Sequence, residues 1–119
     1  MPYRDWLFRI TDILDAIAAV QEYTMGMEFE DFVADRKTID AVIRNFIIIG
    51  EAACHVPDEV CQATTGIPWG DMRAMRNFVV HEYFGVNDRI IWDTIQTDLS
   101  PLVPLLKSLF ARHTKETDQ

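Results

Sequence analysis

The sequence has 119 residues, 49% of them hydrophobic and 25% charged, with a formal net charge of −8. That length suits one domain whose core forms without staples and is too short to divide into two. The acidic balance argues against a protein that coats nucleic acid nonspecifically, because phosphate contacts need lysine and arginine in numbers, but it leaves room for a local basic pocket.

At the start, Pro2-Tyr3-Arg4-Asp5-Trp6 places a base and an acid where a signal peptide needs an apolar run, and the longest strictly apolar run, Phe46-Ile47-Ile48-Ile49, is far short of the ~20 residues that span a bilayer. The expected location is the cytoplasm. Cys54 and Cys61 flank Pro57 and fit neither a disulfide framework nor paired CxxC knuckles, so they read as reduced thiols.

From Trp6 onward, Ile10, Ile13, Leu14, Ile17 and Val20 recur at the spacing of one buried helical face, and Gly26 lies past that helix's end. An acidic connection from Glu28 to Asp35 follows, with Phe29, Phe32 and Val33 placed to cap the bundle as a single turn. A second long helix is predicted from Asp35 as N-cap, through Ile39, Val42, Ile43, Phe46, Ile47 and Ile49, to about His55, before Pro57 forces an exit. Its middle is apolar almost all round, so it is predicted to be the most buried helix. Gly50 within it costs about 1 kcal/mol relative to alanine, which points to the close approach of another backbone.

Between Pro57 and Gly66 a short polar helix or loop is expected. Pro68 suits the first turn of a third helix, Trp69 to about Tyr83, ended by Gly85. Asn87 then reads as the N-cap of a fourth helix with Ile90, Ile91, Ile95 and Leu99 on its inner face. Ser100-Pro101 and Pro104 are predicted to kink or restart it, since proline lacks the amide proton and clashes with the preceding turn. Leu102 to Phe110 continues as an amphipathic stretch. No segment alternates with period two, so the expected fold is all-α: one domain over residues 1–119, an antiparallel bundle of four to five helices.

The informative segment is Met72-Arg73-Ala74-Met75-Arg76-Asn77-Phe78-Val79-Val80-His81-Glu82-Tyr83. It sets two arginines, an asparagine, a histidine and a tyrosine into an otherwise largely apolar helix. At 100° per residue, Arg76 and Tyr83 lie about 20° apart around the axis, whereas Arg76 and His81 lie about 140° apart. One regular helix therefore cannot bring Arg76 and His81 onto a single small target. Either the helix loosens before Gly85, or two copies face each other across a dimer and pool their groups.

Such a cleft meets the needs of RNA phosphodiester cleavage. Arg76 stays protonated and offers a rigid fork of donors to a scissile phosphate. His81 titrates near neutrality and can take a proton from the ribose 2′-hydroxyl or give one to the leaving 5′-oxygen. No metal or cofactor is required. Tyr83 is placed to bond a phosphate or stack on a base, and its phenol is a target for modification.

The run Arg76-(four residues)-His81-Glu82-Tyr83 resembles the Arg-x4–6-His motif of the HEPN superfamily, in the Arg-x4-His-x-Tyr form of HepT-like toxins. Further blocks carry the resemblance across almost the whole chain: Tyr3-Arg4-Asp5-Trp6, Asp40 to Phe46, Ile48-Ile49-Gly50-Glu51-Ala52-Ala53, Ile67-Pro68-Trp69 and Ile91-Trp92-Asp93-Thr94. The resemblance implies a homodimeric helical bundle acting as a metal-independent ribonuclease toxin, with Arg76 and His81 of both subunits in one cleft. It also implies an MntA-type nucleotidyltransferase antitoxin that silences the toxin by AMPylating the motif tyrosine, here Tyr83. Asn77 matches the polar residue that often follows the arginine.

Other residues carry less. Glu51 and Arg44, seven positions apart on one helix face, either support the cleft or form a buried ion pair, and the structural reading is preferred. Arg73, one turn before Arg76, either extends the phosphate path or sits in solvent. Cys54, His55 and Cys61 lack a fourth ligand, so no zinc site is expected. Trp6, Trp69 and Trp92 read as core or interface anchors. The rival reading is a helical dimer that grips a nucleotide or partner domain without chemistry, and the plainest is a scaffold.

Overall fold

A computed structural model describes residues 2–77 and 88–117, with side chains described for 6–77 and 88–114. Helix α1 spans Pro2–Thr24. Its predicted face is the one that packs: Trp6, Ile10, Ile13, Ile17 and Val20 are buried, with Leu14 at the edge. The Thr24 hydroxyl donates to the Val20 carbonyl, which satisfies it in a buried setting. The chain then turns at Gly26, whose φ of 78° favours glycine.

The acidic connection forms a short helix, α2, Phe29–Ala34. The Asp31 carboxylate accepts from the Glu28 amide at 2.9 Å, and the Glu28 side chain caps the same turn reciprocally. Phe32 is fully buried, its ring 5.1 Å from that of Trp92, while Val33 faces solvent.

Helix α3, Arg36–Cys54, starts and stops where the sequence places it. The Asp35 carboxylate accepts from the Thr38 amide at 3.1 Å, and this bond holds its pKa below the ordinary carboxylate range. Ile39, Val42, Ile43, Phe46 and Ile49 are buried, and α1 lies along them. The outer stripe is charged: Asp40, Arg44 and Glu51 are exposed, with Ile47 and Ile48 half-buried between them.

Helix α4, Asp58–Ala63, buries no side chain. The loop after it is closed by the Trp69 indole, which donates to the Thr64 hydroxyl at 3.0 Å. Helix α5, Trp69–Ala74, follows Pro68 and tightens at once into a 3₁₀ turn, Met75–Asn77. Met72 and Met75 are buried, and the whole segment packs on α3. The expectation of a regular helix to Tyr83 and its stop at Gly85, together with His81 and the Asn87 cap, lies outside the described residues from 78 onward.

Helix α6, Asp88–Asp93, widens into a π-helical turn, Thr94–Leu99, and runs on as α7, Ser100–Thr117. Of the two outcomes expected at the prolines, kink or restart, the restart does not occur, and the helix changes from π to α at Ser100. Pro101 has no amide proton to give, and the wide turn just before it changes which carbonyls are paired. The Thr94 and Thr97 hydroxyls donate to the Ile90 and Asp93 carbonyls at 2.9 and 2.7 Å, taking up acceptors there. Ile91, Ile95, Leu99, Leu102, Leu106 and Leu109 are buried, but Ile90 is 52% exposed, which corrects its assignment to the inner face.

Trp6 meets His113 edge to face at 4.8 Å, fixing the end of α7 to the start of α1. Among the described residues the fold is all-helical with no strand. No described helix is long and apolar enough to cross a membrane.

Candidate functional site around Arg76

The site begins at a glycine. A Cβ at Gly50 would lie 2.6 Å from the Arg76 amide nitrogen, 2.9 Å from the Arg76 Cβ and 3.1 Å from the Arg73 carbonyl oxygen. Only a residue without a side chain lets the 3₁₀ turn settle this deeply onto α3. The approach foreseen at Gly50 is thus to the very residue that the motif singles out.

The next residue holds the arginine's far end. Glu51 Oε1 accepts from Arg76 Nη1 at 3.1 Å, with the two side chains 52% and 48% exposed. At that exposure the pair adds little stability, in the range of about 0–1 kcal/mol. Its effect is orientation: backbone contact fixes the Arg76 Cα, and the carboxylate restrains the guanidinium while leaving part of its donor fork open to solvent. Asn77, beside it, is exposed.

This arrangement replaces the preferred reading of Glu51 and Arg44 as a buried pair. Both are exposed, and the ion-pair partner of Glu51 is Arg76. Arg44 has no ion pair among the described residues. The sequence signal for the true pairing is the Gly50-Glu51 dipeptide, a close-approach residue followed by a carboxylate.

Arg73 points to a different group of partners. Its Nη2 donates to Cys61 Sγ at 3.1 Å, its Nε reaches the Ala53 carbonyl at 3.5 Å, and Asp58 lies 3.9 Å away. It clasps α4 to the end of α3. Burial pushes the Cys61 thiol up, and the Arg73 charge only partly opposes this. Cys54 is exposed, and no cluster of three or more potential metal ligands occurs among the described residues.

On the other side of the 3₁₀ turn, a hollow of about 500 Å³ opens between α5 and the π turn, lined by Met72, Met75, Thr97, Asp98, Leu102 and Leu105 among others. His81 and Tyr83, which share the motif with Arg76, fall outside the described residues.

The model of a family described as "Ribonuclease HepT-like" matches residues 13–109, most of the chain. The chain belongs to the HepT-like ribonuclease family. It is 40% identical over 113 residues to a protein of Thermococcus cleftensis named "Probable ribonuclease HepT", covering 95% of this chain and 96% of that one. Two proteins named "Putative RNase" are also similar. One, from Methanocaldococcus jannaschii, is 33% identical over 92% of this chain and 93% of its own length. The other, from Caldanaerobacter subterraneus, is 38% identical over 84% of this chain and 89% of its own length. No solved structure matches the chain.

Proposed function

We propose that this HepT-like chain is a metal-independent endoribonuclease toxin that works as a homodimer, with Arg76 and His81 of both protomers in one cleft. The observation that carries the reading is the fixing of Arg76: a main-chain contact at Gly50 and a carboxylate at Glu51 hold a guanidinium at the surface with donors to spare. Pre-set donors of this kind stabilise charge that develops on a phosphoryl oxygen.

In the proposed reaction the ribose 2′-oxygen attacks the adjacent phosphorus while the P–O5′ bond breaks. One His81 accepts the 2′-hydroxyl proton, and the other donates a proton to the departing 5′-oxygen. Arg76 binds the non-bridging oxygens, and Asn77 and Tyr83 contact the strand. The products are a 2′,3′-cyclic phosphate and a 5′-hydroxyl. Glu51 positions Arg76, and Arg73 braces the helix that carries it.

Regulation follows from the same segment. A nucleotidyltransferase antitoxin of the MntA type transfers AMP from ATP to the Tyr83 phenol, releasing pyrophosphate and placing a bulky anion where RNA must enter.

The test is cleavage of an RNA pool by the wild type in the presence of EDTA, compared with Arg76→Ala and His81→Ala. Cyclic-phosphate ends from the wild type alone support the reading; no cleavage, or equal cleavage by all three, removes it. An increment of one AMP on the Tyr83 peptide, seen only with the partner enzyme and ATP, tests the regulatory part.

A further inference from the structure

The outer stripe of α3 is complementary to itself when reversed. Taking ~100° per residue, Asp40, Arg44, Ile47, Ile48, Glu51 and His55 fall within an arc of about 100°. All are exposed except the two isoleucines, which are half-buried. Reversal about the midpoint between Ile47 and Ile48 exchanges Arg44 with Glu51, Asp40 with His55, and Ile47 with Ile48. Each exchange sets a base against an acid, or an apolar group against an apolar group. A two-fold axis performs this operation between identical chains.

We infer that a second copy of this chain docks on this stripe, the two α3 helices running antiparallel about an axis at residues 47 and 48. The inference rests on the dimer reading above and deepens it by naming the face, the register and a residue supplied in trans. A parallel arrangement in register would set Arg44 against Arg44 and Glu51 against Glu51, which like-charge repulsion disfavours. RNA is a poorer occupant, because Asp40 and Glu51 repel phosphate and half-exposed isoleucines offer it nothing.

The docking places Arg44 of the partner subunit beside Glu51, the carboxylate that already holds Arg76. Arg44 is exposed on the same stripe and has no ion pair among the described residues. Seven residues separate Arg44 from Glu51, so the two Glu51–Arg76 pairs lie roughly 10 Å apart along the helix axis, close enough to line one groove.

The experiment uses charge reversal on the full chain, read by sedimentation equilibrium and, with differently tagged chains, by native mass spectrometry. In its own dimer, Arg44→Glu sets carboxylate against carboxylate at both symmetry-related contacts, and Glu51→Arg sets guanidinium against guanidinium at both. Each alone should weaken self-association by about tenfold or more, and a one-to-one mixture should form heterodimers near wild-type strength, since the unaltered and reversed contacts are then each opposite in charge. Circular dichroism confirms folding. If Glu51→Arg does not fold, Arg44→Glu at its exposed site and a weakening of the wild-type dimer with salt carry the test.

A monomeric wild type, single variants that associate like the wild type, or a mixture that stays monomeric would overturn the docking. So would an Arg44→Glu variant that dimerises normally but loses RNA binding. Cleavage is measured separately. Complementation without cleavage removes the ribonuclease reading and keeps this face, whereas cleavage by a dimer indifferent to both reversals does the opposite.

Discussion

Gly50 and Arg76 meet through their main chains. A methyl group at Gly50 would sit 2.6 Å from the Arg76 amide nitrogen, closer than non-bonded atoms tolerate, and the obstructing atoms are backbone and the Arg76 Cβ fixed to it, none of which can swing aside. Glu51, one residue on, takes the arginine's guanidinium at 3.1 Å. Two consecutive residues of α3 therefore fix both ends of one side chain.

Gly50→Ala is the first consequence. In an unobstructed helix this change gains about 1 kcal/mol. Here the overpacking penalty, typically ~1–3 kcal/mol, outweighs it, so the melting temperature falls. RNA cleavage falls further than stability alone explains, because the turn carrying Arg76 is displaced. Thermal melts and initial rates measured well below the transition check both, and a rise in melting temperature would contradict the close approach.

Glu51→Ala separates orientation from stability. The pair is about half exposed, so the melt moves by no more than about 1 kcal/mol in free-energy terms. Cleavage drops about tenfold or more, mainly in kcat, as a guanidinium left to wander contributes less where charge develops. Glu51→Gln, which still accepts a hydrogen bond, recovers part of the rate. Equal rates for all three proteins would show that Arg76 needs no such restraint.

Asp35 gives a pH dependence with a definite sign. Its folded-state pKa is lowered, chiefly by the Thr38 amide, so its contribution is present above the ordinary carboxylate range and is lost as pH falls through the folded value. Asp35→Ala therefore melts lower than wild type at neutral pH, and the gap closes in acid. Asp35→Asn keeps a capping acceptor and shows a smaller gap that does not follow this titration.

The two thiols should react at different rates. Cys54 is exposed, whereas Cys61 is half-buried, has its thiol pushed up, and is engaged by Arg73 and the Val56 carbonyl. Alkylation with iodoacetamide at neutral pH, followed by peptide mass spectrometry, is expected to label Cys54 first.

Much of this architecture is legible in local chemistry. The Asp35 cap and the Pro57 exit delimit α3, and the spacing from Trp6 to Val20 marks the packed face of α1, because capping and helical periodicity act within a few residues. What escaped was decided by tertiary contact. The 3₁₀ turn at Met75–Asn77 has no signature in its own residues; it is where the chain bends onto Gly50. The assignment of Glu51 to Arg76 rather than Arg44 spans 25 positions and rests on helix packing. The chain stays helical through Pro101, where the preceding π turn shifts which carbonyls are paired, a change that a proline rule applied alone does not contain.

Helix α4 contributes no fully buried side chain: Val60 and Cys61 pack only partly against the core, and the other ties are an arginine on a sulfur and, just beyond the helix end, an indole on a threonine. Segments tied this lightly open without global unfolding. Amide hydrogens of residues 58–63 should accordingly exchange with solvent well before those of α1 and α3. Each such excursion releases Arg73, so slow breathing at this corner reaches the neighbouring turn through a covalent distance of three residues.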